Sequence, residues 1–251
     1  MEQINLEKKE EPYIACLKTI KRIFDNNKIE FWLAYGALLG AVRNEKLFDD
    51  DLDLGTFYHY ISERKKRKKL TKDFEKEGFT IHFFWDAMSV RKGKTNVDFN
   101  FFYLGGDKKN VIKKRYKKNK ALDYLIFKLM KLPTTEFYGK FSFNFGGDLR
   151  NTIKMDLLKM VHCLPSVIKN SLFKIPNFLL RRWITLEEYN LIIPAKHFLK
   201  LKSTDFYGIK MNIPSEAEKY LEIEYGEDWR IPPKEPKKWV WWEHGEWKKV
   251  K

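Results

Sequence analysis

The chain has 251 residues, of which 43% are hydrophobic and 16% aromatic, and its formal net charge is +15. This composition excludes a disordered chain and supports a packed core, either as one large domain or as one domain with an appended region. The basic charge favours an anionic partner but does not distinguish nucleic acid, anionic lipid and a phosphorylated substrate.

The compartment is indicated by the cysteines and by the absence of an apolar leader. The two cysteines, Cys16 and Cys163, form no CxxC pattern, which argues against a disulfide framework or a zinc site. The N-terminus is charged, and no stretch approaches the roughly 20 apolar residues of a membrane span. We therefore expect a cytoplasmic protein, soluble or peripheral at the inner face of the membrane.

The first elements predict a strand that leads through a glycine into a helix. Apolar residues at helical spacing predict a first helix over residues 4–28. The apolar run at residues 31–35 predicts a buried strand, Gly36 a turn, and residues 37–42 a short apolar helix. Such a junction aims backbone N–H groups at the start of a helix, where phosphate is stabilised.

An acidic run follows this helix and predicts a metal site. If residues 51–54 are extended, Asp51 and Asp53 project from one face, with Leu52 and Leu54 on the other. Two carboxylates on one face repel each other unless a cation compensates them, and hard oxygen ligands favour Mg²⁺ or Mn²⁺. The alternative is a solvated acidic turn.

The next segments predict a basic helix and a short meander of strands. Residues 62–78 predict a basic surface helix that ends at glycine and is either solvated or in contact with a phosphate-rich acceptor or lipid headgroups. Strands are predicted at 80–85, 88–91 and 97–103. Asp98 lies in the last of these among aromatic residues, which suggests a third carboxylate of the metal site. The alternative is a structural aspartate at a strand edge.

The second half of the chain is less regular. The basic stretch 105–120 is interpreted as the exit from a core that ends near residue 110, followed by a helix at 121–132 and a strand at 141–145. Basic amphipathic pieces in 151–183 either pack on the core or form a patch against an anionic membrane. The tryptophan-rich tail from residue 239 either locks onto the body or contacts a membrane.

The last predicted helix carries recognisable start and stop signals. Ser215 followed by Glu218 predicts a capping box that opens a helix over residues 215–225, and Gly226 predicts its end. Lys196 and His197, ahead of it, are weak candidates for substrate contact, since a lone histidine is more often structural.

Two separated motifs resemble the LicD/fukutin group of phosphotransferases. The first is the run from Gly36 to Arg43 followed by alternating aspartates at 49, 51 and 53, and the strand around Asp98 is similar as well. Ala37 stands where the family usually has Thr or Ser, Phe48 replaces a Pro-Trp pair, and the loop after Arg43 is shorter. The second motif comprises Phe206, Gly208, Pro214, Tyr220, Leu221, Tyr225, Gly226, Trp229, Pro232 and Pro233.

The resemblance implies an α+β fold with a nucleotidyltransferase-like mixed β-sheet flanked by helices, and a mostly helical C-terminal region. Residues 1–110 would form the catalytic core, and residues 111–251 would pack on it and bind the acceptor. The implied reaction moves phosphocholine, ribitol-phosphate or glycerol-phosphate from a CDP-alcohol donor to a hydroxyl of a glycan or lipid-linked glycan, releasing CMP.

Roles for individual residues follow from the same resemblance. Asp51, Asp53 and Asp98 would hold Mg²⁺ or Mn²⁺, and Asp98 could accept the proton of the acceptor hydroxyl. The backbone of Gly36, Ala37 and Leu38 would bind phosphate. Arg43 would pair with phosphate oxygens or brace the aspartate loop, and Arg91 would make a further phosphate contact.

Two other functions remain open from the sequence. The same metal site would serve a nucleotidyltransferase that attaches NMP to a small molecule or protein. The net charge and lysine runs also fit a basic nucleic-acid-binding protein, although no RNP, KH or helix-turn-helix signature is present and nucleic acid is disfavoured.

Overall fold

The computed structural model describes residues 2–43, 52–83, 86–117, 136–138 and 187–231. Helices within these ranges are α1 (Glu2–Asn26), α2 (Tyr35–Arg43), α3 (Arg64–Lys76), α4 (Lys196–Leu199) and α5 (Ala217–Tyr225). Strands are β1 (Phe31–Leu33), β2 (Leu52–Phe57), β3 (Thr80–Phe83), β4 (Ala87–Lys92), β5 (Thr95–Leu104), β6 (Asn110–Lys117), β7 (Glu136–Tyr138), β8 (Glu187–Pro194), β9 (Leu201–Phe206) and β10 (Ile209–Pro214). A 3₁₀ turn follows β2 at Tyr58–Tyr60.

Most of these strands form one mixed sheet. Its order is β1-β2-β5-β4-β3-β7, while β6 pairs with the far end of β5 and β8 pairs with β6. Strands β2 and β5 are parallel, and the other described pairs are antiparallel. β9 and β10 form a separate hairpin. The predicted α+β fold, a mixed sheet flanked by helices, is therefore confirmed.

One face of the sheet is apolar and is covered by α1 and α3. The side chains of Leu54, Val97 and Phe99 are buried here, as the alternation along β2 and β5 predicts. Phe24 of α1 stacks on Phe99 with ring centroids 4.6 Å apart and meets Phe74 of α3 edge-on at 6.1 Å. Burying each of these rings contributes about 1.5–3 kcal/mol, so this layer holds both predicted helices in place.

The other face is polar in its middle and aromatic at one end. Trp32, Phe102, Phe198 and Tyr220, which we call the aromatic wall, are each fully buried. Phe198 of α4 lies 5.3 Å from Trp32, 5.4 Å from Phe102 and 5.1 Å from Tyr220 of α5, measured between ring centroids. The described C-terminal segment therefore packs directly on the sheet.

Gly55 on β2 is required by the close approach of this wall. A Cβ added at Gly55 would lie 2.6 Å from Cε2 of the buried Trp32 ring and 3.0 Å from Cε2 of Phe102. We expect Gly55→Ala to lower the free energy of unfolding by about 1–3 kcal/mol, because neither ring has room to move. Urea unfolding measures this. Gly106→Ala, where an added Cβ meets nothing within 4 Å, is the matched control, and equal losses in both variants would contradict the packing argument.

The predicted capping box at Ser215 is wrong. The helix begins at Ala217, and its N-cap residue, Glu216, makes no side-chain capping bond. Ser215 instead donates from its backbone N and from Oγ to the carbonyl of His197, at 2.8 and 3.0 Å. A tertiary contact with α4 thus replaces the local cap, whereas the predicted end at Gly226 is confirmed by its φ of 91°.

The region beyond residue 110 contains strands as well as helices where it is described. β6 pairs with β5 and so extends the sheet past residue 110. The division into two domains near that residue stays a prediction. Helix 121–132, strand 141–145, the amphipathic pieces of 151–183 and the tryptophan-rich tail lie outside the described residues. Among the residues that are described, no helix combines the length and apolar character needed to cross a bilayer.

Candidate active site

Two of the predicted metal-binding carboxylates lie side by side on the polar face. In the parallel pairing of β2 with β5, Asp53 is the direct partner of Asp98. Paired residues on adjacent strands project from the same face, and the strands lie about 4.8 Å apart. Both side chains are half-buried. The fold therefore brings Asp53 and Asp98 together, while Asp51 lies outside the described residues.

Helix α2 begins beside this pair. The backbone N–H of Ala34 donates to the carbonyl of Asp53 at 3.1 Å, so the strand-to-helix junction is tied to β2 at the level of the carboxylates. Tyr35, the first helical residue, has a φ of 47°, a left-handed conformation that is uncommon for a tyrosine and marks a sharp turn. The predicted strand–turn–helix junction is present at the position the site requires.

The anion-binding donors predicted in this turn differ in their availability. The N–H of Leu38 donates to the carbonyl of Ala34 at 3.2 Å and closes the first turn of α2. The N–H groups of Gly36 and Ala37 precede that bond and belong to the helix start, where backbone donors have no intrahelical acceptor. Gly36 and Ala37 are therefore the better placed of the three for contact with a phosphate.

Arg43 lies at the other end of the same helix. A rise of 1.5 Å per residue separates its Cα from that of Gly36 by about 10 Å. The side chain is half-buried, and this burial lowers the pKa of Arg43. Because a partly desolvated guanidinium gains from an anionic partner, Arg43 fits either of its predicted roles, pairing with phosphate or bracing the aspartate loop.

Arg91 lies on the same polar face, on β4. Its strand pairs with β5 so that Ser89 is opposite Asp98 and Arg91 is opposite Asn96. The Nε of Arg91 donates to Oδ1 of Asn96 at 3.4 Å. Arg91 is thus two residue pairs from Asp98 along the strands, which is the next position on the same face, as a phosphate contact near the carboxylates would need.

Two further residues lie near Asp53 and were assigned no role from the sequence. Asn100 donates from Nδ2 to Oδ1 of Asp53 at 3.1 Å, and Lys113 of β6 donates from Nζ to Oδ1 of Asn100, also at 3.1 Å. Only 3% of Lys113 is exposed. Asn100 had a visible signal, since it shares the polar face of β5 with Asp98. Lys113 had none, because it lies within a run of lysines and arginines that is typical of a solvated surface.

His82 continues the row of the carboxylates across the sheet. It pairs with Ser89, which in turn pairs with Asp98. Burial, and secondarily the charge of Arg91, lower the pKa of His82 to about 4. The imidazole is therefore neutral in the folded protein at neutral pH, which excludes a charged role for it there.

This shift predicts a pH dependence of stability. Between pH 6.5 and about 4 the unfolded chain protonates His82 while the folded protein does not, so the free energy of unfolding falls by up to roughly 3 kcal/mol as the pH drops through this window. Urea unfolding of the protein and of His82→Gln across that range measures the contribution, since carboxylates titrate in both. We expect a shallower acid loss in His82→Gln, and parallel profiles would contradict it.

The donor set fits a hard divalent cation as far as it is described. Asp53 and Asp98 offer carboxylate oxygens of the kind that Mg²⁺ and Mn²⁺ prefer, and their like charges call for compensation. Among the described residues no group of three or more histidine, cysteine or acidic side chains is close enough to hold a metal. The third ligand predicted at Asp51 lies outside that part of the chain.

An open cleft elsewhere does not involve these residues. It has a volume of about 690 Å³ and lies against α4 and α5, where His197, Lys219 and Glu222 contribute to its lining. His197 is buried, with Nδ1 3.0 Å from Oε2 of Glu216, which favours its predicted structural role. Neither Asp53 nor Asp98 lines the cleft. The candidate site therefore lies where β2 pairs with β5, and not in the cleft.

Comparison with known proteins agrees with the first motif. Residues 28–143 match the LicD/FKTN/FKRP nucleotidyltransferase domain. A protein of Rickettsia prowazekii described as uncharacterized is 32% identical over 69 residues, or 27% of this chain and 25% of that protein. An uncharacterized protein of Rickettsia typhi is 24% identical over 226 residues, or 87% of this chain and 67% of that protein. Neither relative carries a functional description.

Proposed function

Because residues 28–143 belong to the LicD/FKTN/FKRP nucleotidyltransferase family, which indicates a transferase, we propose a metal-dependent phosphotransferase that uses a CDP-alcohol donor. It moves a phospho-alcohol such as phosphocholine, ribitol-phosphate or glycerol-phosphate to a hydroxyl of a cell-surface glycan or its precursor. The observation that carries the proposal is the in-register pairing of Asp53 with Asp98 beside the start of α2.

In the proposed reaction the acceptor oxygen bonds to the phosphorus that bears the alcohol. The bond from that phosphorus to the oxygen bridging the diphosphate breaks, and CMP leaves with the bridging oxygen. An oxygen of Asp98 accepts the proton of the acceptor hydroxyl. The N–H groups of Gly36 and Ala37 bind a phosphate, and Arg43 and Arg91 are the charged contacts to the remaining phosphate oxygens.

A divalent cation, Mg²⁺ or Mn²⁺, would be held by Asp53 and Asp98 together with Asp51. When bound, it supplies charge neutralisation for the diphosphate. The protein's own contribution is to hold two carboxylates at one level of the sheet and to close one end of that face with the aromatic wall. Since the wall is buried, it excludes water from that side.

The decisive experiment follows CMP release from a panel of CDP-choline, CDP-ribitol and CDP-glycerol with Mg²⁺ and a hydroxyl acceptor. We expect CMP from one donor, and less in the presence of a chelator. Release of pyrophosphate from CTP instead would favour transfer of NMP. Stabilisation against heat by one of these nucleotides would be a first indication of the donor.

A peripheral contact with an anionic membrane is proposed for α3. The helix buries Leu70 and Phe74 against the apolar face of the sheet, so its basic side faces away from Asp53 and Asp98. Its exposed cations are Arg64, Lys65, Lys66, Lys68, Lys69, Lys72 and Lys76. We expect co-sedimentation with phosphatidylglycerol vesicles that is lost at high salt. Equal sedimentation with neutral vesicles would contradict an electrostatic contact, and nucleic acid remains a less supported partner.

A further inference from the structure

A buried lysine, Lys113, is linked to Asp53 through the side chain of Asn100 and has no role in the reaction described above. Only 3% of the surface of Lys113 is exposed to solvent. Its Nζ donates to Oδ1 of Asn100 at 3.1 Å and to the carbonyl of Phe101 at 3.4 Å, and it lies 5.4 Å from the centre of the Phe102 ring. Burying an ammonium is unfavourable unless negative charge or several acceptors compensate it.

The pairing of β5 with β6 explains how Lys113 reaches the site. Tyr103 pairs with Ile112, so Lys113 lies beside Phe102, on the face that also carries Asn100 and Asp98. From there its long side chain runs back along the polar face to Asn100. The lysine therefore belongs to the same face as the carboxylates and not to the basic surface that its sequence neighbours suggest.

Asn100 joins this lysine to Asp53 in a defined orientation. An ammonium only donates hydrogen bonds and an ionised carboxylate only accepts them. The amide between them has one group of each kind, so its oxygen must face Lys113 and its nitrogen must face Asp53, as observed at 3.1 Å on both sides. The chemistry of the three groups thus determines the amide orientation. The oxygen and nitrogen of an amide side chain are generally assigned in this way, from the hydrogen bonds that they make.

We propose that Lys113 is the internal counter-cation of the Asp53–Asp98 pair and that Asn100 is the bridge that transmits its charge and orients Asp53. Both are positioning residues. Without a bound cation, the ammonium offsets the repulsion between the two carboxylates. A divalent cation at the carboxylates would be repelled by the same ammonium, because both are positively charged. Lys113 therefore also weakens the binding of the cation. This second part rests on the metal role in the proposed function.

The first test uses the full chain without metal. Lys113→Met keeps the apolar stem against Phe102 and removes the charge. We expect it to lower the melting temperature by about 5 °C or more, and to lower it much less in an Asp53→Asn background, because the repulsion between the two carboxylates that the lysine offsets is then absent. Equal losses in both backgrounds would show that Lys113 only supports Phe101 and Phe102, and would overturn the proposal. Lys210→Met, at an exposed lysine of β10, is the matched control.

Two additional variants keep the test decisive if Lys113→Met does not fold. Lys113→Gln can still donate to Asn100 but is neutral, so it should repeat the dependence on Asp53. Lys113→Arg retains the charge and should recover most of the lost stability. Failure of Lys113→Arg to exceed Lys113→Gln in melting temperature would count against a charge-based role.

The second test titrates Mn²⁺ by calorimetry, with no nucleotide present. We expect Lys113→Gln to bind Mn²⁺ roughly tenfold more tightly or better than the unmodified protein, since a nearby positive charge is removed. Unchanged or weaker binding would overturn the counter-cation role. If the unmodified protein binds Mn²⁺ but releases no CMP from any CDP-alcohol, the proposed reaction fails while the inference stands on its own results. If it binds no Mn²⁺, the metal role in the proposed function and the second part of the inference both fail, and the metal-free melting test alone decides the first part.

Discussion

Replacing Asp98 with asparagine should abolish transfer while leaving the fold intact. The substitution keeps the size of the side chain but removes one of two adjacent negative charges on β2 and β5. We expect kcat/KM for CMP release to fall by roughly 10³-fold or more, the equivalent of about 4 kcal/mol of transition-state stabilisation. Asp53→Asn should cause a loss of the same order.

The Asp98→Asn substitution should not lower the stability of the protein, although it abolishes activity. Like charges directly opposite each other on neighbouring strands are destabilising, so Asp98→Asn should leave the free energy of unfolding unchanged or raise it by up to about 1 kcal/mol. Asp25→Asn is the control, since the Asp25 side chain forms an exposed ion pair with Lys21 at 2.7 Å, which is worth little. Full activity in Asp98→Asn would count decisively against the site.

Most of the core was predictable because its sequence patterns are local. The strand of residues 31–33, helix α2 and the alternation around Asp98 each follow from apolar periodicity over a few residues. The convergence of Asp53 and Asp98 was predicted from their chemistry, since an aspartate among aromatic residues needs a reason to be there. The direct pairing of Asp53 with Asp98 could not be predicted from the sequence, because β3 and β4 lie between the two paired strands in the chain.

The parts that could not be predicted depend on tertiary partners. Lys113 has basic neighbours, and nothing local distinguishes a lysine that turns toward Asn100 from one in solvent. Ser215 carries a valid local capping pattern, but its hydroxyl and N–H are taken by the carbonyl of His197. In both cases a partner distant in sequence decides which of several local options is used, and single-sequence reasoning cannot identify that partner.

Phe198 should be among the most important residues for the stability of the whole chain. It is 1% exposed and contacts three other members of the aromatic wall, one of them on β1 and one on β5. We expect Phe198→Ala to lower the free energy of unfolding by about 3–5 kcal/mol, because it leaves a cavity among rings that cannot collapse into it. At about 2–4 °C per kcal/mol for a chain of this size, the melting temperature should fall by roughly 6–20 °C.

The neighbouring residue provides the matched control. Leu199 follows Phe198 in α4 and is 57% exposed, so Leu199→Ala should change the free energy of unfolding by only about 0.5 kcal/mol. The comparison also tests whether the C-terminal segment is part of the catalytic core, since the wall joins α4 and α5 to β1 and β5. A single cooperative transition that shifts as a whole is the result we expect. Two transitions, with the one for the β2–β5 sheet unmoved by Phe198→Ala, would mean that the segment folds apart from the site and does not close it.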